Sequence, residues 1–423
     1  VTAWLRGLGL SGAFVSVTTL FFVWGFISSN NDPLIVTLRA AFGLGYTQGL
    51  AVQLVSFVAF GLMSLPAAWL SERLGLLRAI LLALLTMIGA CLLLRVVLPW
   101  HSYGAILLAL FVLAVGVNML QVAANPLAAA LGPAQTSHFR LSLAQAFNSL
   151  GVVMGAHFGS RIMLGDRAMV AHPGGLASAA DRTEALGAVS YAYGVMTVLL
   201  LALLAFLWLQ RARITAAAAG IAPAPQSSVF AALHSRWAVA GAVAIGLYVG
   251  AEVSIGSVMI NFLHQPGVLN LPFERGGELL ANLYWGGALV GRFIGAALLT
   301  RVPAPRLLAI NALCAAALCL LALGGQGAVA GYAALAVGLF NSIMFPTIFT
   351  ITLERAGVTQ SSTSGLLCLA IAGGGLIPLL VGLIADSTSL SLAFSVPALA
   401  YAAIACFALS ALRSPGRGSA LPL

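Results

Sequence analysis

Two carboxylates set the chemistry this chain could perform. Asp32 closes the polar end of Phe21-Phe-Val-Trp-Gly-Phe-Ile-Ser-Ser-Asn-Asn31-Asp32, and Glu252 sits in Tyr248-Val-Gly-Ala-Glu252-Val-Ser-Ile-Gly-Ser257. Both are embedded in apolar sequence. A carboxylate at the middle of a bilayer costs roughly 2.5–3.5 kcal/mol on insertion scales, and Asn or Ser would fill the same volume more cheaply. Such a group is kept where its charge changes: it takes up a proton or ligates a cation, and its charge state biases which side of a carrier opens. The structural alternative is an ion pair, Asp32 with one of the arginines or Glu252 with Arg292. Pro33 removes a backbone donor and disfavours helical dihedrals at Asp32. It predicts a helix break there, tolerated at membrane depth only beside protein or a water-filled cavity.

Amides cluster around these acids. Asn118, Gln121 and Asn125 follow at i, i+3 and i+7, Gln145 and Asn148 are three apart, and Asn31, Asn282 and Asn341 add single groups. An amide holds a donor beside an acceptor, which suits vicinal hydroxyls. The competing role is glue between helices, worth less than about 1 kcal/mol each. Trp24 and Trp285, with Tyr284 and Phe147, could stack on the C–H face of a sugar or simply pack. His157 could touch substrate or hydrogen-bond a neighbouring helix. Glu252 and Asn261 are nine residues apart, hence on opposite faces of a straight helix unless Gly246, Gly250 or Gly256 lets it bend. No H-E-x-x-H, Walker loop or G-x-S-x-G at a strand–helix turn is present, so neither an enzyme nor a cofactor or metal centre is expected.

The elements that hold these groups follow from composition. Of 423 residues, 61% are hydrophobic and 7% charged, and the mean hydropathy is +1.06. Soluble domains carry about 25% charged residues, so this is a polytopic membrane protein. A crossing needs about 20 apolar residues, which places twelve helices near 14–42, 48–70, 78–98, 102–131, 137–164, 188–210, 237–263, 277–299, 305–324, 329–353, 361–385 and 389–412. The first apolar run is expected to be a retained helix and not a signal peptide. All 19 basic residues are Arg. With both termini cytoplasmic, twelve fall on the inner side and six on the outer, the excess the positive-inside rule asks for. The net charge of +9 therefore implies no nucleic-acid partner, because the arginines lie at helix ends. The five cysteines lie in apolar runs and suggest no disulfide framework.

Residues 214–228, rich in Ala, Pro and Gly, divide the chain into two halves of similar hydropathy. The expected organisation is an N-terminal six-helix bundle over 1–212, a cytoplasmic linker over 213–235 and a C-terminal six-helix bundle over 236–423. The halves echo each other. Ala114-Val-Gly116 and Ala336-Val-Gly338 each open a polar, Pro-containing span, and Arg73/Arg78 match Arg301/Arg306 in spacing. A six-plus-six duplication of this kind is how major-facilitator carriers are built.

Several long motifs resemble the fucose permease family of the major facilitator superfamily. They are Asn30-Asn-Asp32, Leu120-Gln-Val-Ala-Ala-Asn-Pro126, Gly132-Pro133, His138-Phe-Arg-Leu-Ser-Leu-Ala-Gln-Ala-Phe-Asn148 and Asn341-Ser-Ile-Met-Phe-Pro346. The Tyr248–Ser257 and Leu120–Pro126 runs are similar to the glucose/galactose transporter branch, which has N-acetylglucosamine permeases among its relatives. The resemblance implies an all-α carrier of twelve transmembrane helices in two pseudo-symmetric bundles, coupling a hexose to an inward ion gradient. Asp32 matches an acid important for transport in the fucose permease. Gln121 stands where that protein has a second important acid, a Glu, and Glu252 stands where it has Gln. The second carboxylate is thus expected to have moved across to span seven.

The expected function is a hexose:cation symporter working by alternating access in a bacterial cytoplasmic membrane, as a monomer. The coupled ion is expected to be H+, with Na+ the alternative. Substrate contacts are assigned to Asn31, Asp32, Gln121, Asn125, Gln145 and Asn148 from the first half, and to Glu252, Asn282, Trp285 and Asn341 from the second. Asp32 and Glu252 are assigned to coupling. A multidrug or sugar efflux carrier and a non-transporting sugar sensor are the competing readings.

Overall fold

Apolar residues at nearly every position favour helices that satisfy their own backbone in lipid. The computed structural model describes residues 11–44, 51–164, 178–218 and 229–414. Among these it is helical, without strands. The first span is α1 (Gly12–Ser28) and α2 (Asn31–Phe42); the next three are α3 (Ala51–Leu74), α4 (Leu76–Val97) and α5 (Tyr103–Ala130). The fifth is α6 (Ser137–Gly159), continued by a π-helical turn Ser160–Leu164, and the sixth is α7 (Ala179–Ala218). After α8 (Arg236–His264), α9 (Phe273–Leu279), a π-helical segment Leu280–Trp285 and α10 (Gly286–Leu298) make the eighth span. Then come α11 (Ala304–Gly324), α12 (Gly327–Asn341), α13 (Met344–Arg355), α14 (Gln360–Gly373), α15 (Leu376–Ser387), α16 (Leu390–Ala393) and α17 (Ser395–Arg413).

All twelve expected spans are therefore helical, and ten of the helical stretches are long and apolar enough by themselves to cross a membrane. The fifth and eighth, both carrying the π turns and more polar residues, complete the set. The expected linker is partly helix: α7 continues through Ala218, because an Ala-rich run is the best helix former available. Residues 219–228 of it lie outside the described residues.

The break in the first span falls at Ser29–Asn30, not at Asp32 as Pro33 suggested. Pro33 occupies the first turn of α2, where no N–H partner is needed. The interruption is held instead by Asn30, whose side-chain amide donates to the Phe26 carbonyl at 2.6 Å. Two further spans are also broken: α12/α13 at Ser342–Ile343 and α14/α15 at Gly374–Gly375.

The chain divides into two compact units. One comprises Leu10–Leu131 and Phe147–Ala222; the other includes Gly132–Ala146 and Pro223–Leu423. In the first, α6 approaches α1 backbone to backbone. A Cβ at Gly151 would stand 2.0 Å from the Phe22 carbonyl oxygen, one at Gly155 2.1 Å from that of Phe26, and one at Gly159 2.3 Å from Asn30 Oδ1. Three glycines at four-residue spacing thus form one flat strip, the close-packing device of membrane helices. In the second unit Gly338 of α12 does the same: a Cβ there would lie 2.1 Å from the Tyr284 carbonyl oxygen. These contacts fix the heights at which the polar side chains enter.

Candidate functional site

The first unit holds a cavity of about 310 Å³ whose wall includes Trp24 and Ser28 of α1, Asn31 of α2, Gln53 of α3, Gln121 of α5 and Asn148 of α6. Each wall group is there for a local reason. The glycine strip brings α6 against α1 so that the Asn148 amide donates to the Phe21 carbonyl at 3.0 Å. Trp24 is buried and packs its ring 5.5 Å from that of Phe21. The Ser28 hydroxyl is buried with no hydrogen-bond partner among the described residues. An unpartnered buried hydroxyl costs on the order of 1–3 kcal/mol. A cavity of this volume falls at the small end of ligand pockets, roughly 300–1,000 Å³.

The i, i+3, i+7 row on α5 divides in roles. Asn118 is fully buried, donates to Ser64 Oγ at 2.9 Å and approaches the Ala59 and Phe60 carbonyls at 3.3 Å. It fastens α5 to α3. Gln121 reaches the cavity. Asn125 is buried outside it, and so is Gln145, one turn before Asn148. Asp32 is the second residue of α2 and follows the cavity-lining Asn31; its side chain lies outside the described ones. His157 is exposed.

In the second unit, α8 runs unbroken from Arg236 to His264, and Gly246, Gly250 and Gly256 do not interrupt it. Glu252 and the exposed Asn261 therefore stay on opposite faces, as their spacing requires. Glu252 Oε1 accepts from the Tyr248 hydroxyl at 2.8 Å, one turn back. The Tyr284 hydroxyl donates to the Glu252 backbone carbonyl at 3.1 Å and accepts from Asn341 Nδ2 at 3.1 Å. Arg292, held by the Ser342 carbonyl at 3.1 Å, exerts its field on the Glu252 carboxylate. Of the expected second-half contacts, Glu252 and Asn341 thus join one network through Tyr284. Asn282 and Trp285 are exposed on the π-helical segment. The Trp285 ring crosses Tyr284 edge-on, centroids 4.9 Å apart, and rests on α8 beside Gly256.

Sequence reasoning passed over Tyr248, Gln53 and Ser28. The first had a signal, a hydroxyl four residues before a buried acid. The others had none, being single polar residues in ordinary helices. It also passed over a second polar cluster: His138 meets Thr350 Oγ1 at 2.5 Å and Glu354 at 3.2 Å, and Ser137 donates to Glu354 at 2.8 Å.

The cavity of the first unit is lined by amides, hydroxyls and apolar groups, and among the described residues lining it there is no nucleophile–base pair. Among the described residues no group of His, Cys, Asp and Glu could hold a metal ion.

Comparison with known proteins points the same way. Residues 10–377 match the model of the Major Facilitator Superfamily. A glucose/galactose transporter of Brucella abortus (strain 9-941) is 39% identical over 405 residues, covering 95% of this chain and 94% of that one. The L-fucose-proton symporter of Escherichia coli (strain K12) is 31% identical, covering 93% and 92%. The crystal structure of the transporter FucP in the outward conformation superposes with a TM-score of 0.84 at 25% identity, over 96% of this chain and all of that one. The proton:xylose symporter XylE, at 11% identity and a TM-score of 0.69, shares the fold. With its twelve helical spans and motifs running almost end to end, the chain belongs to the Major Facilitator Superfamily of membrane transporters and, within it, to the fucose permease family on its glucose/galactose transporter branch.

Proposed function

We propose that this carrier imports a hexose together with a cation, a proton in the first place, by alternating access. The observation that carries the reading is the amide-lined cavity of the first unit, where Asn31, Gln53, Gln121 and Asn148 stand beside the ring of Trp24. Amides match vicinal hydroxyls and an aromatic face matches the C–H face of a pyranose. The relatives named for glucose/galactose and fucose transport support the same substrate class. Glu252, Asn341 and the exposed Asn282 and Trp285 supply the contacts of the second half; Asn125 and Gln145, buried and not among the cavity's lining residues, keep an indirect role. Asp32 and Glu252 carry the coupling, since each can exist charged or neutral. Both termini face the cytoplasm, which puts the larger share of the arginines inside, and the monomer is the working unit.

Uptake into proteoliposomes under an imposed pH or sodium gradient tests the scheme. Asp32→Asn should abolish gradient-driven accumulation while leaving sugar exchange at equal concentrations. Accumulation at the wild-type level in Asp32→Asn would remove Asp32 from the coupling. A panel of glucose, galactose, fucose and N-acetylglucosamine, run with and without sodium, identifies the sugar and the ion. Extrusion of a dye with indifference to every hexose would replace the reading by efflux.

A further inference from the structure

A second concavity lies in the second unit. It holds about 550 Å³ between the first three turns of α8 and the last three of α17. Trp237, Ala240, Ala244 and Leu247 recur on one face of α8, and Ala403 and Phe407 oppose them from α17. The alanines provide the depth. Trp237 and Phe407 close the floor edge to face, centroids 5.9 Å apart. At 1.5 Å per residue the face from Arg236 to Leu247 is about 16 Å long, close to half of a hydrocarbon core of about 30 Å. The groove is therefore one leaflet deep.

Its mouth is cationic. Arg236, the first residue of α8, is exposed and lines it. Arg413 is exposed on the last turn of α17, between the lining residues Ser410 and Ser414. Arg355 stands behind the floor, its guanidinium carbon 5.6 Å from the Trp237 ring centre and its Nη2 donating to the Ala411 carbonyl at 3.2 Å. Among the lining residues none is acidic. Glu354 of α13, next to Arg355, already receives His138 and Ser137 and lies 3.7 Å from Arg355.

We infer that this groove is a binding site for one anionic phospholipid, its phosphate between Arg236 and Arg413 and one acyl chain along the alanine face. An apolar slot alone would accept any lipid. The arginine pair at the headgroup level, with Trp237 one residue inside, selects an anionic one, since a basic residue near the surface contributes roughly a fivefold preference.

The test uses the intact protein in bilayers with brominated phosphatidylglycerol or brominated phosphatidylcholine as quencher. The signal of Trp237 is isolated as the difference between wild type and Trp237→Phe. Phosphatidylglycerol should quench it at a mole fraction at least fivefold lower than phosphatidylcholine. Arg236→Gln with Arg413→Gln should bring the two lipids to parity, and Ala240→Phe, which fills the slot and keeps the charge, should protect Trp237 from both. Equal quenching by the two lipids in the wild type means ordinary annular lipid and overturns the site. A preference that persists without the two arginines overturns the assignment of the headgroup. The wild-type comparison stands whether or not the variants fold, and it does not depend on the transported substrate.

Discussion

Adding one methyl group to Gly155 is the most direct test of how the cavity is built. A Cβ there would lie 2.1 Å from the Phe26 carbonyl oxygen and 2.5 Å from Ser29 Oγ. Real Cβ atoms stay at least 3.0 Å away, so α1 and α6 must part by about 0.9 Å. The obstacle is backbone, which no rotamer change relieves. Overpacking of this kind costs roughly 1–3 kcal/mol. The displaced helix also carries Trp24 and Ser28 into the cavity wall, and a shift near 1 Å in a preorganised site can cost up to about 100-fold. Gly155→Ala should therefore lower the thermal midpoint in detergent and raise the KM for sugar uptake by about tenfold or more. Gly89→Ala is the control. Nothing lies within 4 Å of its Cβ position, and alanine is the better helix former by about 1 kcal/mol, so that variant should melt no earlier than wild type and transport normally. If Gly155→Ala matches Gly89→Ala in both measurements, the close-packed strip does not position the site and the reasoning fails.

Two further substitutions separate scaffold from site. Asn118→Ala should lower the melting midpoint, at a cost of about 1 kcal/mol for an interhelical polar contact, and leave the sugar KM unchanged; Gln121→Ala, three residues on, should do the reverse in the same two assays. Tyr284→Phe removes the hydroxyl that donates to the Glu252 carbonyl and accepts from Asn341. It strands a fully buried amide at a cost of roughly 1–3 kcal/mol, which should appear as an earlier thermal unfolding transition, whereas Tyr248→Phe should act on the coupling by freeing the Glu252 carboxylate.

The number and place of the twelve spans could be read from the chain because crossing a bilayer is a one-dimensional requirement. Length and hydropathy decide it, and neither needs a neighbour. The two exceptional acids were legible for the same reason, since their cost in lipid does not depend on which helix they meet. The break at Ser29–Asn30 was not, because Pro33 is equally content to stop a helix or to start one.

What each polar residue does was decided by packing. Asn118, Gln121 and Asn125 share a face of one helix, yet the first ties α5 to α3, the second reaches the cavity and the third is buried outside it. Lipid tails and protein interior are equally apolar, so the pattern on a membrane helix does not reveal which face meets protein. The glycine strip of α6 lay in plain view as Gly151, Gly155 and Gly159, but its partner could not be named until α1 was seen against it. The amino-acid sequence thus determined that this chain crosses the membrane twelve times and carries two costly charges. Only the tertiary structure decided which amides face the cavity, because that choice is made by the backbone approaches between helices.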